Sequence, residues 1–98
     1  MGKSYAHPLI VLVALPNEQG IARVAISAGR SIGNAVQRNR AKRLLREAIR
    51  PFLQEIQPGW DIILLARQPL AESSCQQAQA ALIQLLRRAN MIEERHDS

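Results

Sequence analysis

Gly33-Asn34-Ala35-Val36-Gln37-Arg38-Asn39-Arg40-Ala41-Lys42-Arg43-Leu44-Leu45-Arg46-Glu47 is the stretch whose reading decides the fold. Arg38, Arg40, Lys42, Arg43 and Arg46 all precede its first acid, Glu47. Wound as a helix at about 100° per residue, it gathers Ala41, Leu44, Leu45, Ala48, Ile49 and Phe52 into one sector. Asn39, Lys42, Arg43, Arg46 and Arg50 fall on the opposite one. One face can enter a core while the other presents a ridge of positive charge. Helices that simply face water intersperse acids for i,i+4 pairing. Here only Glu47 is at hand, within reach of Arg43 or Arg50, so the remaining repulsion calls for a polyanion, and a folded RNA suits it.

The flanks set the helix limits. Asn34 is a good N-cap, because its side-chain oxygen can accept from a free backbone N–H of the first turn. Pro51 has no N–H to give and clashes with the carbonyl four residues back, so the helix must stop or kink near Arg50, with a restart over residues 52–56. Upstream, the apolar run 9–15 is short and β-branched, as a buried strand is. Pro16-Asn17-Glu18-Gln19-Gly20 reads as a turn, which makes 21–28 an antiparallel return strand. Residues 3–6 can add an edge strand. Downstream, Pro58-Gly59 is a turn and 60–66 a further strand. A second helix over 71–92 buries Ala78, Leu82, Leu85, Leu86 and Ala89. Strand, strand, helix, strand, helix is an α+β order, with helices packed on a small mixed sheet.

With 98 residues there is one domain, residues 1–92, followed by a polar tail, 93–98, expected to be disordered. The formal net charge of +5 is unevenly spread, since between Arg23 and Arg50 Glu47 is the only acid. Cys75 is the single cysteine, so no internal disulfide can form, which fits a reducing cytoplasm. The run 9–15 is too short to span a bilayer and has no cleavage pattern after it.

Other chemistries find little support. Gly29-Arg30-Ser31 echoes part of a phosphate loop, but Val24 stands where the first glycine of that motif belongs. Arg30 instead extends the basic surface. His7 and His96 are too distant in the chain from Cys75 to suggest a nucleophile pair or a zinc site. No carboxylate pair or metal-ligand cluster is evident, so no catalytic or metal residue is assigned. Tyr5, Phe52 and Trp60 are the only aromatics, too few for a stacking platform, and Phe52 and Trp60 suit the core.

The basic stretch resembles the signature of the protein subunit of bacterial ribonuclease P. That family is marked by an Arg-Asn-Arg core, then Lys-Arg, then Arg-Glu. Here these are Arg38-Asn39-Arg40, Lys42-Arg43 and Arg46-Glu47, introduced by Ile32-Gly33-Asn34-Ala35-Val36. The preceding strand 23–27, the strand and arginine Asp61-Ile62-Ile63-Leu64-Leu65-Ala66-Arg67 and the closing Leu85-Leu86-Arg87-Arg88-Ala89 are similar too. The resemblance implies a ribosomal-protein-S5-domain-2-like sandwich with a left-handed crossover through the basic helix, where general rules favour a right-handed one. Family members usually begin with a basic segment and a short helix bearing phenylalanines. This chain begins Met1-Gly2-Lys3, so that N-terminal helix is expected to be absent.

The resemblance also implies function. The holoenzyme removes the 5′ leader from precursor tRNA, and its RNA subunit holds the Mg²⁺ ions and performs the chemistry. The protein is the non-catalytic subunit, and its partners are the catalytic RNA and the leader. Arg38, Asn39, Arg40, Lys42, Arg43 and Arg46 are the expected RNA contacts, with Arg30 and Arg50 in support. The leader is expected in a cleft between sheet and basic helix, with Arg23, Ser27 and Arg67 as candidates. Val13 stands where relatives can carry a tyrosine. Two other readings compete: a ribosomal-type RNA-binding protein with no role in processing, and an amphipathic basic helix on an acidic membrane or a partner protein.

Overall fold

Asn34 caps the basic helix as its side chain predicts. In the computed structural model, which describes residues 2–92, helix α1 runs Ala35–Ile49. Asn34 Oδ1 accepts from the Gln37 N–H, and Gln37 Oε1 accepts from the Asn34 N–H, both at 2.9 Å, a reciprocal capping box. Gly33 precedes it with φ +135°, and a Cβ there would collide with the Gln37 side-chain amide. Glycine is therefore required before the cap. The dry face is the expected one: Ala41, Leu44, Leu45, Ala48 and Ile49 are buried. At Pro51 the α-helix gives way to a 3₁₀ turn, Arg50–Phe52, and Phe52 is half-buried against the core. The restart amounts to a single turn, in which the Ile56 N–H reaches the Phe52 carbonyl at 3.2 Å.

The strands are β1 (Lys3–Ala6), β2 (Ile10–Pro16), β3 (Arg23–Ser27) and β4 (Trp60–Ala66), and they form one sheet in the order β1-β2-β4-β3. The sequence suggests that β3 returns directly alongside β2. It runs in the opposite direction to β2 but does not pair with it. β4 inserts between them, antiparallel to β2 and parallel to β3. The physical reason lies in the strands themselves. β4 carries Ile62 and Leu64, both fully buried, and matches β2 over its whole length from Ile10↔Ala66 to Pro16↔Trp60. β3 begins and ends with exposed Arg23 and Ser27, which suits an edge.

The connection 17–22 must then step over the start of β4, and it is tied there. Asn17 N–H donates to the Gly59 carbonyl at 2.8 Å, and Gly59 N–H donates to the Ile21 carbonyl at 2.9 Å. Asn17 Nδ2 donates to Asp61 Oδ1 at 2.8 Å, and Arg23 donates to both Asp61 oxygens at 2.7 Å. One carboxylate thus joins the connection, β3 and β4. These bonds, Arg23 first and then Asn17, hold the Asp61 carboxyl below its ordinary range.

Helix α2 is shorter than the 71–92 expected. A 3₁₀ turn occupies Gln68–Glu72, and α2 runs Cys75–Arg88. Ser74 and Gln77 form a second capping box, which fixes the start at Cys75. The far end closes when Asn90 turns to φ 56° and the Met91 N–H reaches back to the Leu86 carbonyl at 2.9 Å. Ala78, Leu82, Leu85, Leu86 and Ala89 are all buried, as expected. Both helices pack against the side of the sheet that carries Ile10, Leu12, Ile62 and Leu64. The alternating residues Val11, Val13, Ile63 and Leu65 point to the other side and stay partly exposed. The tail 93–98 lies outside the described residues.

Leu45 is fully buried at the heart of α1, so Leu45→Ala should lower the free energy of unfolding by about 2–5 kcal/mol in denaturant titration. Because the Asp61 carboxyl is held low when folded, its stabilisation is complete above the ordinary carboxyl range and is lost as pH falls through the lowered value. Melting temperature measured from pH 7 downwards should therefore drop more steeply below about pH 4 in the natural chain than in Asp61→Asn.

Candidate nucleic-acid interface

The dry face fixes the rotation of α1, and the rotation aims its cations. Asn39, Arg43, Arg46 and Arg50 are exposed, and Lys42 is half-exposed. None of these five side chains has a hydrogen-bond or ion-pair partner among the described residues. The pairing expected of Glu47 with Arg43 or Arg50 is not made. Glu47 turns instead toward α2 and accepts from the Cys75 thiol at 3.6 Å, a long sulfur contact. The ridge keeps its mutual repulsion unrelieved from within.

Arg38 and Arg40 behave differently. Arg38 Nη1 donates to the Gly33 carbonyl at 3.0 Å and so braces the glycine turn before the cap. Arg40 Nε donates to the Ala71 carbonyl at 2.8 Å, and its Nη2 donates to the Ser73 carbonyl at 3.1 Å. The Ser73 side chain is buried, and its hydroxyl donates to the Pro69 carbonyl at 2.9 Å. Arg40 thus fastens α1 to the turn that leads into α2. Each guanidinium has five N–H donors, so both arginines retain donors for a ligand after making these bonds. Sequence reasoning missed the bracing because the acceptors are backbone carbonyls, in Arg40's case far along the chain. The one local signal was the helical phase, which places Arg40 outside the polar sector.

Arg30 is exposed in the 3₁₀ turn Arg30–Ile32, between β3 and α1 in the chain, and adds a cation near the helix start, while Ile32 of the same turn is buried in the core. The first turn of α1 contains no acid, so its free N–H groups and the positive end of the helix dipole add to the local field.

The three leader candidates are not brought together. Arg23 and Ser27 register with Asp61 and Leu65, which puts them on the sheet face turned away from both helices. They therefore do not line the groove between β3 and α1. Arg23 is also committed to Asp61. Arg67 sits beyond the other end of β4, beside His7, Pro8 and Gln68, about 20 Å from Arg23 at the rise of a strand. The open face between them is apolar at its centre, with Val11, Val13, Ile63 and Leu65, and small at its margins, with Ser4, Ala25 and Ser27. Among the described residues no three His, Cys, Asp or Glu side chains converge as metal ligands would. Among the same residues no helix is long and apolar enough to cross a membrane.

Comparison with known proteins places this arrangement. The family model described as Ribonuclease P matches residues 1–90. The ribonuclease P protein component of Herpetosiphon aurantiacus is 38% identical over 94 residues, covering 96% of this chain and 76% of that protein. That of Natranaerobius thermophilus is 41% identical over 93 residues, covering 95% of this chain and 81% of that protein. The solved ribonuclease P protein of Staphylococcus aureus superposes with a TM-score of 0.83 at 34% identity, over 94% of this chain and 84% of that one. The Thermotoga maritima protein gives 0.77 at 31% identity, over 95% and 86%.

The division of labour among the arginines has a direct check. Arg40→Ala should lower unfolding free energy by about 1–3 kcal/mol, because it removes charge-assisted bonds to two carbonyls. Arg43→Ala, which breaks no internal bond, should leave the melting temperature within a degree or two and act on RNA affinity alone. Equal effects of both on melting would refute the bracing role.

Proposed function

This chain belongs to the ribonuclease P protein family, and we propose that it assists the catalytic RNA in removing the 5′ leader from precursor tRNA. It is the protein component of an endoribonuclease ribonucleoprotein and leaves the chemistry to the RNA. The observation that carries the RNA-binding part is the ridge of Asn39, Lys42, Arg43, Arg46 and Arg50, unpartnered among the described residues, on a helix whose opposite face is locked in the core. Arg30 and the remaining donors of Arg38 and Arg40 extend the same surface.

The physical task is electrostatic. Catalytic RNA and precursor tRNA are both polyanions, and bringing them together costs repulsion and condensed counterions. Lysine and arginine side chains at the contact release those counterions, which favours association. In this reading the Mg²⁺ ions are held by the RNA subunit, and the protein supplies positioning and charge. Asn39, able to donate and accept at once, suits a base edge or a 2′-hydroxyl within the ridge. The leader belongs on the open sheet face, where Ser27 and the apolar centre are accessible, with Arg67 at one end and Arg23 at the other. The setting is the cytoplasm, where Cys75 stays reduced.

The experiment is reconstitution with the catalytic RNA. Addition of the chain should accelerate precursor-tRNA cleavage at low Mg²⁺, and the chain without RNA should cleave nothing. If about five phosphates are neutralised, log K for the RNA should fall against log[salt] with a slope of about −3.5 to −4.5. Arg46→Ala should flatten that slope by roughly one unit while the fold is kept. A slope near zero, or cleavage at the mature 5′ end by RNA-free protein, would overturn the proposal.

A further inference from the structure

Beside the ridge, where α1 passes the outer strand of the sheet, lies a groove that shares Arg46 and Arg50 with the ridge and whose apolar floor the reading above, with the leader on the open sheet face, leaves unassigned. Val24 and Ile26 of β3, with Arg46, Ile49, Arg50 and Leu53 from α1 and the turn after it, line a cavity of ≈ 470 Å³. Its floor is apolar. Ile49 is buried, Val24 and Ile26 are half-buried, and Leu53 is an exposed large hydrophobic at 47%. Its rim is cationic. Arg46 and Arg50 stand one helical turn apart, about 6 Å along the axis, and neither has a partner among the described residues. β3 is an edge strand, so the groove opens to solvent along one side.

An apolar floor under two unpaired cations fits a ligand that is flat and apolar in one part and anionic in the next. A nucleotide has this make-up. The volume lies within the range of about 300–1,000 Å³ in which pockets enclose groups of small-molecule size. A base in a duplex is stacked and cannot enter such a groove, whereas an unpaired nucleotide in a loop or bulge can be splayed out and held. Arg46 and Arg50 lie on the same polar face as Lys42 and Arg43, so a strand following the ridge arrives at the groove without changing course.

Resting on the RNA-binding reading, we infer that this groove receives one unpaired nucleotide of the RNA bound along α1. Its base lies against Val24, Ile26 and Leu53, and its flanking phosphates meet Arg46 and Arg50. The floor is aliphatic, so the base is held by burial and by the faces of the guanidinium planes, without aromatic stacking. The site therefore selects for a nucleotide free to leave its stack more than for a particular base.

The probe is the catalytic RNA with the full chain. Leu53→Asn removes an exposed apolar side chain and should weaken RNA affinity by roughly three- to tenfold, the loss expected from part of a leucine's burial. Because that contact is apolar, the salt slope should not change. Arg50→Ala should instead flatten the slope by about one unit. A second readout is Leu53→Trp combined with Trp60→Phe, in which RNA binding should quench the single indole as a base stacks on it. Natural affinity of Leu53→Asn together with an unquenched indole would overturn the groove while leaving RNA binding by the natural chain intact. Failure of the natural chain to bind the RNA would overturn both. Quenching by an extended peptide of alternating Glu and Val, but not by the RNA, would assign the groove to strand addition at β3 and also overturn the inference.

Discussion

Everything presented by this surface depends on how firmly the dry face of α1 is held. Leu45 and Ala41 are fully buried, with Leu44, Ala48 and Ile49 nearly so, and together they fix the helix against rolling about its axis. A roll of one residue would be about 100° and would carry the cations into the core, where an unpaired charge costs several kcal/mol. Core packing and charge display are therefore a single constraint. The same side chains that stabilise the domain determine where positive charge can stand, and substitutions in the core reach the surface through the angle of the helix.

The cost of the ridge is repulsion, and the fold manages it by dividing the arginines. Two near the start of α1 are turned to backbone carbonyls, where their charge is partly satisfied and their geometry useful: Arg38 on the turn before the cap, Arg40 on the turn before α2. Those further along are left bare. Glu47, the one acid placed to relieve them, faces α2. At the opposite edge of the sheet Arg88 makes a similar bargain, donating to the Ala6 carbonyl at 3.0 Å while its guanidinium lies 5.8 Å from the Tyr5 ring centre. Arginine is thus used both as a fastener between distant chain segments and as open charge, and the two uses are told apart only by what each side chain touches.

Local chemistry was legible in the sequence, and distant partnership was not. The Asn34 cap, the stop at Pro51, the turn at Pro58-Gly59, the strand Trp60–Ala66 and the buried faces of both helices all follow from interactions within a few residues. The neighbour of β2 did not. A turn between two strands suggests a hairpin, and only the competition from β4, whose apolar residues are better buried in the middle, sets the order β1-β2-β4-β3. The apolar phase of Leu70 and Ala71 runs on into α2 and hides its start, although Ser74 and Gln77 carry the capping signal. Of the candidate site, the ridge could be read from helical phase. The role of Arg40 could not, since its acceptors at Ala71 and Ser73 are more than thirty residues away. The scatter of Arg23, Ser27 and Arg67 likewise emerges only from the register of β3 on β4.

Both helices begin with a capping box closed by glutamine, Gln37 in α1 and Gln77 in α2, where glutamate would close it equally well. The difference is one of charge. An amide does not ionise, so the clasp at the head of α1 has the same strength in acid as at neutrality, and it adds no negative charge to the arginine-rich helix. A carboxylate there would stabilise the isolated helix and at the same time offset the positive end of its dipole. The choice of amide keeps the mechanical lock and the electrostatic invitation independent, so the helix start stays ordered in free protein without being neutralised in advance.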